Sequence, residues 1–148
     1  MKKVLILFFS LVYAFGCISV TAYADFDKPE DEIIISEYNN VNEMRARLDI
    51  TNGNANVIIF YQGYDGITEG ATITTKIQKR FLLVFWTDVD IGMPNNEWVD
   101  QSTATSYSNS HSVALSSTGT YRAIVSFTVY GSGGSPDTAT IEKQAVYN

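Results

Sequence analysis

Cysteine is almost absent from this chain. Its single copy, Cys17, lies in an uncharged apolar stretch near the N-terminus, Val4 to Val20. Disulfide staples are therefore excluded from everything downstream. Histidine is as scarce, with His111 alone. One imidazole without a cysteine lacks the usual zinc ligand set, and no Gly-x-Ser-x-Gly elbow accompanies it as a nucleophile. His111 is expected to be a surface imidazole. No Gly-rich phosphate loop opens a helix. A second apolar run long enough to span a bilayer is also missing. Basic residues are few: ten Lys and Arg against sixteen Asp and Glu. That balance argues against nucleic acid or anionic lipid as a broad partner, because both need a positive surface.

The N-terminus supplies the clearest positive signal. Met1-Lys2-Lys3 precedes the apolar stretch, and Ala22-Tyr23-Ala24 follows it before the first acid, Asp25. A basic head, an apolar middle and a small-x-small site are the layout of a secretory signal peptide. Residues 1–24 are expected to be cleaved, leaving 124 residues. Losing Lys2 and Lys3 leaves eight basic against sixteen acidic residues, a net charge of −8. The expected destination is extracellular, and a cysteine-free exported chain points to a bacterial exporter. A second reading lipidates Cys17, which follows Ala14-Phe15-Gly16.

Past the leader, residues 25–42 form an acidic arm, with Asp25 to Glu32 mobile and Ile33-Ile34-Ile35 available as an edge strand. Residues 43–148 alternate. Met44, Ala46, Leu48 and Ile50 face one way, and Arg45, Arg47 and Asp49 the other. That period of two is a half-buried strand. Asn52-Gly53 supplies a tight turn, and Ala55 to Tyr64 returns. Ala71 to Lys79 alternates again. Phe81 to Trp86 is a solid apolar run that reads as another strand. Asp88 to Asn96 is a loop, Trp98 to Tyr107 a polar strand, and His111 to Leu115 a short one. Tyr121 to Tyr130 and Thr138 to Val146 complete the set, joined by a flexible Gly/Ser loop at 131–136. Seven to eight strands with no helical period predict one all-β domain, an immunoglobulin-like antiparallel β-sandwich. Its expected core is Leu48, Ile50, Val57, Ile59, Ile73, Ile77, Phe85, Leu115, Tyr121, Val125 and Phe127.

The run Leu115 to Val125, containing Gly119-Thr120-Tyr121-Arg122, resembles the entry into strand F of immunoglobulin-like sandwiches. That resemblance implies structural roles for Gly119 and Tyr121, with the Tyr hydroxyl bonding back to nearby backbone. Over roughly residues 44–148 the chain is also similar to small secreted proteins of Gram-positive, clostridial-type bacteria. Thr75-Lys76-Ile77-Gln78-Lys79, Pro94-Asn95-Asn96-Glu97-Trp98, Gly119 to Arg122 and Val129 to Gly134 carry that likeness. It implies export and a β-fold, and supplies no catalytic residues.

The densest polar cluster surrounds the loop at 88–100. Asp88, Asp90 and Asp100 offer hard oxygen ligands, for which calcium is the fitting cation. The EF-hand pattern fails, since Val99 stands where its bidentate Glu belongs. No other cofactor is expected. Trp86 and Trp98 flank the loop, with Asn95, Asn96 and Glu97 between them; rings beside amides and carboxylates are how sandwich modules grip sugars. Glu97 with one of the aspartates is alternatively a hydrolase carboxylate pair. An internal isopeptide bond from Lys76 or Lys79 to the terminal Asn148 is the remaining constellation. The sequence thus predicts a secreted, non-enzymatic binding or structural module for an extracellular ligand, a glycan or a surface protein. A carbohydrate-binding module and a secreted hydrolase are the alternatives.

Overall fold

The computed structural model describes residues 32–34, 38–82 and 84–148. The leader, Cys17 and residues 25–31 and 35–37 of the arm lie outside the described residues. Nine antiparallel strands run through the rest: β1 (Glu32–Ile34), β2 (Val41–Thr51), β3 (Asn54–Gly63), β4 (Thr68–Phe81), β5 (Phe85–Asp88), β6 (Trp98–Ser102), β7 (Ser106–Ala114), β8 (Gly119–Gly131) and β9 (Asp137–Tyr147).

One sheet has the order β1-β2-β3-β7, and the other β5-β4-β8-β9, with β6 also on β4. β6 pairs along Ala71–Thr75 of β4, and β5 along Gln78–Phe81, so both occupy one edge of that long strand. The arrangement is the expected all-β sandwich. Strands β2-β3-β7 facing β4-β8-β9 reproduce the A-B-E over C-F-G order of immunoglobulin-like folds. Asn52 and Gly53 both adopt positive φ, 52° and 76°, which is what a two-residue hairpin turn requires.

Ile33 and Ile34 pair in the expected edge strand, opposite Arg45 and Met44. Two segments differ from expectation. Trp98 to Tyr107 is not one strand; Thr103–Thr105 carries the chain from β6 in one sheet to β7 in the other. Phe81 to Trp86 is not a strand either. Phe81 ends β4, Leu82 (φ 48°) and Val84 are turn residues, and Phe85 opens β5.

The core lies between the sheets because every second residue faces inward. Leu48, Val57, Ile59, Ile73, Ile77, Tyr121, Val125 and Phe127 are buried as expected, with Leu115 at the margin. Ile50 is only partly buried, against the cluster's rim. Phe85 is a correction: it is 62% exposed, since it belongs to the hairpin tip and not to a covered strand. Tyr121 donates its hydroxyl to the Ser117 carbonyl (2.5 Å), four residues back, and so ties the β7–β8 corner to the core. Tyr121→Phe is expected to cost about 1 kcal/mol by urea denaturation, with no change in the slope of the transition.

The Gly/Ser loop, expected to be flexible, is pinned. Asn40 is fully buried; its side-chain amide donates to the Ser135 carbonyl (2.8 Å) and its amide oxygen accepts from Gly133 N–H (3.0 Å). A Cβ on Gly131 would meet the Ile67 carbonyl oxygen at 2.4 Å, and one on Gly133 the Asn39 carbonyl oxygen at 2.4 Å. These glycines are needed for close backbone approach.

Candidate functional site

Alternation decides where the expected site residues go. In β4, Ala71, Ile73, Thr75 and Ile77 are buried, so Lys76, Gln78 and Arg80 face outward. Trp86 pairs with Arg80 and therefore faces outward; Trp98 pairs with Thr75 and faces inward. The two rings thus lie on opposite faces of the sheet and form no shared platform. Trp86 is covered by guanidinium groups, with Arg122 4.4 Å and Arg80 5.8 Å from its ring centre. Glu97 pairs with outward Lys76 (2.9 Å), whereas Asp100 is buried. They do not face each other across a cleft as a hydrolase pair must.

The other loop residues serve the turn. Asp90 accepts from Gly92 N–H (2.9 Å), and Asp88 accepts from the Gln78 side chain (2.7 Å). Asn95 and Asn96 have φ of 56° and 52°, a left-handed conformation that asparagine tolerates better than most residues. Asp88, Asp90 and Asp100 do not converge. Among the described residues no three His, Cys, Asp or Glu side chains come close enough to share a metal ion.

Asp100 instead centres a polar cluster between the sheets. β6 aims it inward from one sheet, and Tyr107, Asn109 and His111 reach it from alternate positions of β7 in the other. Tyr107 OH (2.9 Å) and the Asn109 amide (2.6 Å) donate to Oδ1, and His111 Nε2 lies 2.6 Å from Oδ2. A carboxylate can only accept, so Nε2 carries the proton of that bond. The Trp98 ring stacks on His111, with centres 4.8 Å apart and planes 4° from parallel. Burial alone would push the Asp100 carboxyl up, but donation from His111, Asn109 and Tyr107 outweighs it and holds the group below the ordinary aspartate value. Burial, followed by the bond to Asp100, raises the Tyr107 phenol, so it stays a neutral donor. His111, expected on the surface, is a correction: its side chain is only 14% exposed. The serines beside it, Ser110 and Ser112, face the other side of β7. The cluster is a strut between sheets, with the imidazole held on an edge and on a face.

A different chemistry occupies one end of the sandwich. The β4–β8 register stops at Lys79 opposite Tyr121. Beyond it, Arg80 and Phe81 pair only with Trp86 and Phe85 of β5. The hairpin therefore runs on past the β4–β8 ladder. At its tip Phe81 is 57% exposed, Leu82 69%, Val84 69% and Phe85 62%. Four large apolar side chains displayed together are unusual on a small domain, where such residues normally occur singly. Behind the tip a groove of about 430 Å³ separates the hairpin from the β7–β8 corner; Lys79, Val89, Leu115 and Tyr121 are among its lining residues.

No family model, curated protein or solved structure matches the chain.

Sequence reasoning missed both features, for different reasons. An unbroken apolar run reads as buried when no Gly, Pro or Asn marks a turn inside it. The signal available was at its flanks, where Arg80 and Trp86 bracket five apolar residues. For the cluster, Tyr107, Asn109 and His111 at a period of two already shared one strand face.

Proposed function

We propose that this protein is a secreted, non-enzymatic binding module whose binding end is the β4–β5 hairpin. The carrying observation is the exposure of Phe81, Leu82, Val84 and Phe85 on a hairpin tip beyond the β4–β8 ladder. Leaving such side chains in water costs each of them about 1.5–3 kcal/mol relative to burial. Contact with a partner recovers that. The glycan-platform reading loses support because Trp86 and Trp98 occupy opposite faces, and the hydrolase reading because Glu97 and Asp100 are directed to different sides of the sheet.

Purified protein mixed with washed bacterial cell-envelope fragments is expected to pellet with them. Leu82→Asp combined with Val84→Asp should lower the apparent affinity by at least about tenfold while leaving the melting temperature unchanged, since both side chains are exposed. Wild-type protein that stays in the supernatant, or a double variant that pellets equally well, contradicts the proposal.

A further inference from the structure

Building on the proposed binding end, we propose that the β4–β5 hairpin is a spike that inserts into the interfacial layer of a lipid bilayer.

Placement is the first argument. Past Lys79 the hairpin no longer pairs with β8, so its exposed apolar side chains lie beyond the β4–β8 ladder. Exposed apolar side chains on both arms of a hairpin are covered together by a partner that yields around them. A fluid bilayer provides that without a preformed complementary pocket.

Residue order is the second argument. No polar residue occurs from Phe81 to Trp86. Directly behind the tip stand Trp86 and, across from it, Arg80 and Lys79, with Arg122 over the Trp86 ring. Aliphatic and Phe side chains at the end, then an indole, then cations, is the depth order of the membrane–water interface. Residues 79–87 hold two cations and no acid, with Asp88 and Asp90 following on the groove side, in a chain whose net charge is −6. The overall negative balance argues against a broad electrostatic attachment, and it leaves a local, mainly apolar one intact.

Depth is the third argument. Two residues on each arm, at about 3.3 Å per residue, reach roughly 7 Å. Amphipathic interfacial elements penetrate about 5–10 Å. The hairpin arms pair with each other through Phe81 and Phe85, which limits the backbone groups that would enter the acyl region unsatisfied. The attachment is peripheral. No helix among the described residues is long and apolar enough to cross a membrane.

The test is flotation with unilamellar phosphatidylcholine vesicles carrying a quarter phosphatidylglycerol. Wild-type protein is expected to float with the vesicles, and Leu82→Asp with Val84→Asp to reduce the floating fraction by at least about tenfold. In Trp98→Phe, where Trp86 is the sole emitter, lipids brominated near the top of the acyl chain should quench the fluorescence; in Trp86→Phe, where Trp98 between the sheets is the sole emitter, they should not. That second measurement decides the matter even where the double variant folds poorly. Protein that remains at the bottom of the gradient, flotation insensitive to the double variant, or unquenched Trp86 overturns the spike. Tip-dependent pelleting on lipid-extracted envelopes without flotation, or a tip-dependent dimer in its place, also overturns the spike; the former leaves the binding end standing with a polymer or protein as partner. Loss of both flotation and envelope binding overturns the two proposals together.

Discussion

Asp100→Ala is expected to destabilise the fold by about 3 kcal/mol, lowering the melting temperature by roughly 10 °C. The carboxylate accepts from Tyr107, Asn109 and His111 at once. Its removal strands three donors in a region where Asp100 itself is only 8% exposed. Each stranded donor costs about 1–3 kcal/mol, less whatever water recovers at the sheet edge. The loss is larger than one hydrogen bond because the donors come from the opposite sheet. β6 and β7 are edge strands of different sheets, and the cluster is the polar tie between them. Equilibrium urea denaturation of the variant measures the effect. A loss below about 1 kcal/mol would mean that water replaces the carboxylate for all three donors and that the cluster does not tie the sheets.

The same site sets an acid limb. Asp100 has a folded-state pKa below its unfolded one. Its contribution is therefore fully present above the unfolded value of about 4 and fades as pH falls through the folded value. Stability should decline below about pH 4, and Asp100→Asn, which has no proton to take up there, should flatten that decline relative to wild type.

Asp137→Ala is the second large effect, expected at about 3 kcal/mol. This buried carboxylate accepts from three consecutive backbone N–H groups: Asn39 (3.3 Å), Asn40 (2.6 Å) and Val41 (3.1 Å). Asn39 and Asn40 precede β2, and Val41 opens it opposite Gly63. Asn40 then holds the β8–β9 loop through Ser135 and Gly133, and its carbonyl accepts from the Thr68 hydroxyl at the start of β4. Loss of Asp137 thus loosens the loop end of the sandwich as a unit. Hydrogen exchange should rise at Asn39 to Val41 and at Gly133 together, while the amides of β3 and central β4 keep their protection. Asp137→Asn should recover part of the loss, because one amide oxygen still accepts. Exchange confined to a single residue would contradict the latch.

Much of this fold was legible in the residues. Alternation in 44–50, 71–79 and 121–130 fixes which side chains face inward, and Asn52-Gly53 marks its turn. Those signals are local, so a sequence carries them whole. The two functional-looking places are different in kind. Asp100 reads as a loop ligand until β6 and β7 are known to lie in opposite sheets; only the crossover at Thr103–Thr105 brings its donors to it. Trp86 and Trp98 look like a pair because they flank one loop, yet their pairing partners Arg80 and Thr75 put them on opposite faces. The hairpin tip has no turn residue to announce it, and five apolar residues in a row satisfy the pattern of a buried strand equally well. What distinguishes the two is whether a neighbouring strand stays paired alongside, and the pairing of β8 with β4 ends at Lys79.

The claim that the hairpin is the working end is tested most directly by comparing two double variants for envelope binding. Leu82→Asp with Val84→Asp changes the tip; Thr72→Asp with Thr140→Asp places the same added charge on the outward face of the β4-β8-β9 sheet. The account predicts a loss of at least about tenfold for the first and less than about twofold for the second. Equal losses, or a loss confined to the sheet-face variant, would contradict it.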